Sequence, residues 1–118
     1  VIRLIALLSL GLAFSVQAER GLSPKVEQPL LQFAQANCLY QYFSYKNYDL
    51  KDIRSISAGI VQMSHIPTDK FVEVNELVRN YEPQIQYKKE TSPLLVKCFT
   101  LESDPAFLKK LSRVSERD

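Results

Sequence analysis

Three kinds of side chain in this 118-residue sequence have types and spacings that could carry chemistry: two cysteines, one histidine and two pairs of carboxylates. Cys38 lies in NCLYQYF and Cys98 in LLVKCF, 60 positions apart, each among large apolar neighbours. There is no CxxC spacing, which argues against redox catalysis. Two cysteines and one histidine fall short of the four ligands of a closed zinc site, so no metal or other cofactor is expected. His65 sits beside Pro67 in a connector, with no Cys, Ser or Asp arrangement suggesting a triad. Asp49/Asp52 and Glu73/Glu76 have the i, i+3 spacing of one helix face. Paired carboxylates can do acid–base work, but at helical spacing they describe a solvated face. With no Gly-rich phosphate loop either, the residues point to a binding protein rather than an enzyme.

The head of the chain decides how the cysteines read. VIRLIALLSLGLAFSVQA carries one charge, Arg3, then an apolar run from Leu4 to Val16 that is short for a bilayer span. It ends in Val16-Gln17-Ala18 followed by Glu19 and Arg20, the layout of a secretory signal peptide cleaved after Ala18. The chain opens on Val1 rather than Met, so a non-standard start or a few preceding residues is expected. Export to the periplasm makes an even cysteine count read as a bridge, and two cysteines allow one intramolecular connectivity, Cys38 to Cys98.

Removing 18 residues from 118 leaves 100, enough for one domain. Without Arg3, 14 of the 15 basic residues remain against 13 acidic ones, a balance that lacks the basic footprint of a nucleic-acid binder. Three glycines are few for a β domain full of tight turns. The expected architecture is all-α, a small bundle of four to five helices stapled by one disulfide. Residues 1–18 are the signal peptide, 19–28 a polar leader, 29–111 the helical domain and 112–118 a polar tail.

Apolar spacing places the helices. Leu31, Ala34, Cys38, Tyr42 and Tyr45 define a first face, widened by Leu39 and Phe43. After KNYD, with Asp49 as an expected N-cap, Ile53, Ile56, Ile60 and Met63 define a second. The small residues Ala58 and Gly59 suggest a close helix crossing there. Thr68 is the N-cap expected after the 64–69 connector, and Phe71, Val74, Val78 and Tyr81 define a third face. Ser92-Pro93 and Asp104-Pro105 are cap-and-proline signals that open a fourth helix, with Leu94, Leu95, Cys98 and Leu101 inward, and a short last one over 106–111. Tyr40, Tyr42, Tyr45 and Tyr48 crowd one helix end, some for the core and the surplus for an interface. Inward cysteines on helices one and four can meet at ordinary packing distances.

The segments NCLYQYF, KDIRSISAGIVQM, FVEVNELVRNY, YKKETSPLL and KCFTLESDPAF together resemble the immunity proteins of the type VI secretion amidases, the Tai/Rap group. The pattern falls on Cys38, Lys51-Asp52, Leu77-Val78 with Tyr81, Tyr87 to Glu90, and Lys97-Cys98, and the match covers about residues 37–107. It departs in the loop, where Lys88 stands in place of Ser and there is no glycine. The resemblance implies a periplasmic helical homodimer whose partner is a secreted peptidoglycan amidase with a Cys–His site. It implies inhibition by a loop that enters the enzyme's cleft. The polar segment around Gln86, Tyr87, Lys88, Lys89, Glu90, Thr91 and Ser92 is the candidate partner-binding loop. The alternative is a small periplasmic helical adaptor or ligand-binding protein with no toxin partner.

Overall fold

The computed structural model describes residues 25–117; the signal-peptide reading of 1–18 and most of the polar leader lie outside them. Five helices follow one another: α1 (Gln28–Tyr45), α2 (Lys51–Gln62), α3 (Thr68–Asn80), α4 (Pro93–Thr100) and α5 (Pro105–Glu116), with a 3-10 turn at Leu101–Ser103 before α5. The all-α, disulfide-stapled architecture is as expected.

Helix α1 is the hub and touches every other helix, while α3 also packs on α5. Along its first half Leu30, Phe33, Ala34, Ala36, Asn37 and Cys38 are all buried, and Gln28 and Gln32 form a narrow wet edge. So wide a buried stripe suits a helix in the middle of a bundle. Around it gather Phe71, Val74 and Val78 of α3, Cys98 and Leu101, and Phe107, Leu111 and Val114 of α5. Phe33 meets Phe71 edge to face, with ring centres 5.1 Å apart. Asn37, buried in this apolar setting, donates to Asn75 Oδ1 at 2.7 Å and so joins α1 to α3 without leaving its amide unpaired.

Four expectations need correction. The α1 stripe leaves the core after Cys38: Tyr45 is 75% exposed and none of the four clustered tyrosines is buried. The α2 face is mostly wet, since only Ile53 is buried while Ile56 is 54% and Met63 is 88% exposed. Helix α2 packs chiefly on α1, so only a narrow line through Ile53, Ile60 and Val61 is covered. No close crossing occurs there, because a Cβ at Gly59 would meet nothing within 4 Å. The last helix does not stop at Leu111; residues 112–116 of the expected tail are helical. Phe107, Leu111 and Val114 continue one inward line, and Lys70 Nζ donates to Ser115 O at 2.8 Å near the helix end.

The caps also sort themselves. Ser92 Oγ accepts from Leu95 N, and Asp104 Oδ1 accepts from Ala106 N and Phe107 N, as their cap-and-proline signals require. Asp49 lies one residue ahead of the cap position and takes the Lys51 N–H at 2.7 Å. Thr68 is the first residue of α3 rather than its cap, a place held by Pro67. Helix α1 ends in a Schellman motif at the left-handed Asn47 (φ 57°). Tyr48 N donates back to Phe43 O at 2.8 Å and Asn47 N to Ser44 O at 3.1 Å. The Tyr48 ring then lies 5.8 Å from that of Phe43, the apolar contact that accompanies this motif.

Cys38 and Cys98 form the expected disulfide, with Cα atoms 5.4 Å apart, and fasten α1 to α4. Closing a loop of about 61 residues stabilises by about 4 kcal/mol in the chain-entropy model. The Cys38→Ser/Cys98→Ser variant is therefore expected to lose about 4 kcal/mol, a large part of a small domain's total. Urea unfolding followed by circular dichroism reads this directly, and an unchanged midpoint at unchanged slope would remove the staple's role.

Candidate functional site

Between α3 and α4 the chain runs from Tyr81 to Ser92 without a helix or strand, and ends in a turn closed by Thr91 N donating to Lys88 O at 2.9 Å. Gln86, Tyr87, Lys88, Lys89, Glu90 and Thr91 are exposed, and Ser92 is half-buried. The seven candidate residues are consecutive in the chain and so share this segment. It also shows how both roots of that segment are held.

At the outgoing root, Ser92 caps α4 and Pro93 occupies its first turn. The disulfide lies five residues further on at Cys98. At the incoming root, Lys97 Nζ donates to Val78 O at 2.6 Å and to Tyr81 O at 3.0 Å. These carbonyls lie where α3 runs out of its own N–H partners, because Tyr81 is extended (φ −76°, ψ 127°). The Tyr81 hydroxyl donates to Asp104 Oδ2, and its ring lies 5.2 Å from that of Phe107. Asp104 therefore serves two helices, one oxygen capping α5 and the other receiving the end of α3.

Two open grooves flank the segment. One, of about 570 Å³, lies between the end of α1 (Tyr42, Tyr45 and Lys46) and the run from Glu90 to Leu95. The other, of about 410 Å³, is lined by Tyr81, Ile85, Tyr87, Leu94 and Lys97 among others. Pro93 and Leu94 border both. The aromatic side chains expected partly in the core instead form a surface group: Tyr42, Phe43 and Tyr48 pack with ring centres 5.8 to 6.3 Å apart. The Arg54 guanidinium lies 5.9 Å from the Tyr40 ring centre.

The charges are shaped by burial. Burial lowers the Lys97 pKa from 10.5, and Glu82 pulls it back up. Desolvation pushes the Tyr81 phenol up to about 12, reinforced by the hydrogen bond and the negative charge of Asp104.

The residues considered for acid–base work are scattered. His65 is exposed in its connector. Asp49 is engaged with the Lys51 amide, and Glu73 lies 3.5 Å from Arg117. Among the described residues no group of three or more His, Cys, Asp or Glu could hold a metal ion, and no helix is long and apolar enough to cross a membrane. The arrangement around 81–92 is a mixed polar and aromatic surface on a segment held at both ends.

Sequence reasoning placed Lys97 and Tyr81 only in the family pattern and Asp104 only as a cap, and missed the burial of Lys97 and the Tyr81–Asp104 bond. A signal existed for the first. Lys97 stands three residues after Leu94 and four before Leu101, in phase with the inward face of α4. No family model matches this chain, and no curated protein or solved structure matches it.

The raised Tyr81 pKa has a defined sign. The folded chain holds the phenolic proton more tightly than the unfolded one. The contribution is complete below pH 10 and disappears as pH rises from 10 towards about 12. Subtracting the tyrosinate absorbance titration of Tyr81→Phe from that of the intact chain should leave one step near pH 12. Asp104→Asn should bring that step down only part of the way, because burial is the largest cause. A difference step at pH 10 would mean that the phenol is neither buried nor paired.

Proposed function

We propose that this chain is an exported immunity protein that silences a secreted peptidoglycan amidase by covering its Cys–His site, with residues 82–92 entering the cleft. The observation that carries the reading is the fastening of that segment at both roots while its middle stays exposed. A loop that is ordered before binding gives up less conformational freedom on binding. Tyr87, 43% exposed, suits an aromatic anchor. Lys88, Lys89 and Glu90 beside it supply charges that set register and speed encounter. The Cys38–Cys98 bond supports the periplasmic part of the reading, since such bonds persist mainly in oxidising compartments. The homodimer belongs to the same proposal.

The decisive variant is the triple replacement Tyr87→Ala/Lys88→Ala/Lys89→Ala. Loss of one aromatic hot spot corresponds to about 2 kcal/mol, so affinity for the cognate amidase should fall about thirtyfold or more. The Tm should barely move, because all three side chains are exposed. Calorimetric titration against candidate wall amidases measures the first and thermal melting the second. Equal affinity in the variant would assign inhibition to another surface; no binding by any Cys–His amidase would favour an adaptor without a toxin partner.

A further inference from the structure

Lys97 is the least expected side chain in the fold. It is 7% exposed, on an eight-residue helix, directly before the cysteine that anchors that helix. Lysine is almost never fully buried, and a buried amine costs free energy unless its protons are hydrogen-bonded. An apolar residue of the same length would fill the space without that cost. What it would not supply is a donor.

The donor has two acceptors of different standing. Val78 O is a carbonyl of α3 left over when the helix stops. Tyr81 O belongs to the first residue past the helix, already in extended conformation. One nitrogen bonded to both fixes the Tyr81 peptide plane relative to the last turn of α3. It thereby fixes the direction in which the chain sets off. Pro83 follows two residues later, and its ring narrows the next step. A cation at the C-terminal end of α3 is also favourable to the helix dipole.

The bond matters because α3 and α4, the two helices that bracket the segment, make little other backbone contact. The adjacent residue, Cys98, ties α4 to α1 instead. Without Lys97 the outgoing root of the loop would stay anchored, while the incoming root would depend on the Tyr81 N–H bond to Leu77 O and on the Tyr81 hydroxyl and ring, none of which holds the Tyr81 carbonyl.

We propose that Lys97 is the positioning residue of the partner-binding loop: by donating to Val78 O and Tyr81 O it sets the exit of residues 82–92 from α3 and holds Tyr87, Lys88 and Lys89 ready for their partner. The partner half of this statement rests on the immunity reading; the positioning half does not. Lys97 touches no partner atom in this account and acts through the backbone of the loop.

The test compares the intact chain with Lys97→Met and Lys97→Arg. Backbone hydrogen exchange is read residue by residue on the free protein. In Lys97→Met the hydrogen-bonded amides at the two ends of the segment, those of Tyr81 and Thr91, should exchange about tenfold faster, with those of Ala34, Val74 and Leu111 unchanged. Affinity for the amidase should fall about tenfold, mainly through faster dissociation. Lys97→Arg keeps charge and donors, and the adjoining groove of about 410 Å³ gives its larger head room, so it should restore most of both. Should Lys97→Met fail to fold, Lys97→Gln replaces it, its amide being too short to reach both carbonyls. Loop exchange equal to the intact chain's overturns the positioning role. So does a rise shared equally by loop and core, which would mark a residue needed only for stability. Failure of the intact protein to bind any amidase overturns the immunity reading instead, and leaves the exchange result to decide on Lys97.

Discussion

The arrangement depends on how one short helix is held. Helix α4 has eight residues, too few to be stable alone. It nevertheless forms one wall of both grooves and the outgoing root of the loop between them. Two adjacent residues, Lys97 and Cys98, keep it in place by different physics. The disulfide removes freedom from the unfolded chain and binds α4 to the central helix. The lysine binds it to the end of α3 through directional hydrogen bonds. Neither tie replaces the other, because they run to different neighbours.

The same logic explains why the wet and dry faces fall where they do. Helix α1 is largely covered along its first half and exposed at its end, where the chain turns away at Asn47. The aromatic residues after Cys38 therefore remain near the surface, where Tyr42, Phe43 and Tyr48 pack on one another and Tyr42 and Tyr45 line the larger groove. Helix α2, packed chiefly on α1, keeps Ile56 and Met63 in water.

This also marks what could be read in advance from the residues. Ser92 and Asp104 act as caps because their chemistry is local: a short polar side chain and a following proline settle a helix start within four residues. The α3 stripe of Phe71, Val74 and Val78 held because α3 is covered by both α1 and α5. Parity and export led to the cysteine pairing, which geometry bears out. The stripes of α2 and of late α1 misled, because periodicity says which face is apolar and not whether a neighbour will cover it. The end of α5 was missed for the opposite reason: Val114 is a lone apolar residue among polar ones, and its burial depends on α3. For the loop, the segment was legible and its anchoring was not. The bonds of Lys97 and Tyr81 join residues 16 to 23 positions apart that no local pattern pairs.

The composition of the loop makes the anchoring effective. Residues 82–92 contain no glycine, and the only left-handed non-glycine residue among those described is Asn47, outside the loop. The segment therefore needs no permissive residue to reach its shape. Pro83 lies just inside one root and Pro93 just beyond the other, and each restricts φ near the anchored atoms. Every non-glycine residue also loses less backbone freedom on becoming ordered than glycine would. A loop with glycines could bend to suit several clefts, but it would pay for that adaptability in ordering entropy on each encounter. This one is built the other way: the unusual side chains of the domain, a buried lysine, a phenol with a raised pKa and the single disulfide, all act on the roots of one segment. The exposed middle is left free to differ in charge and side chain without disturbing the base that presents it.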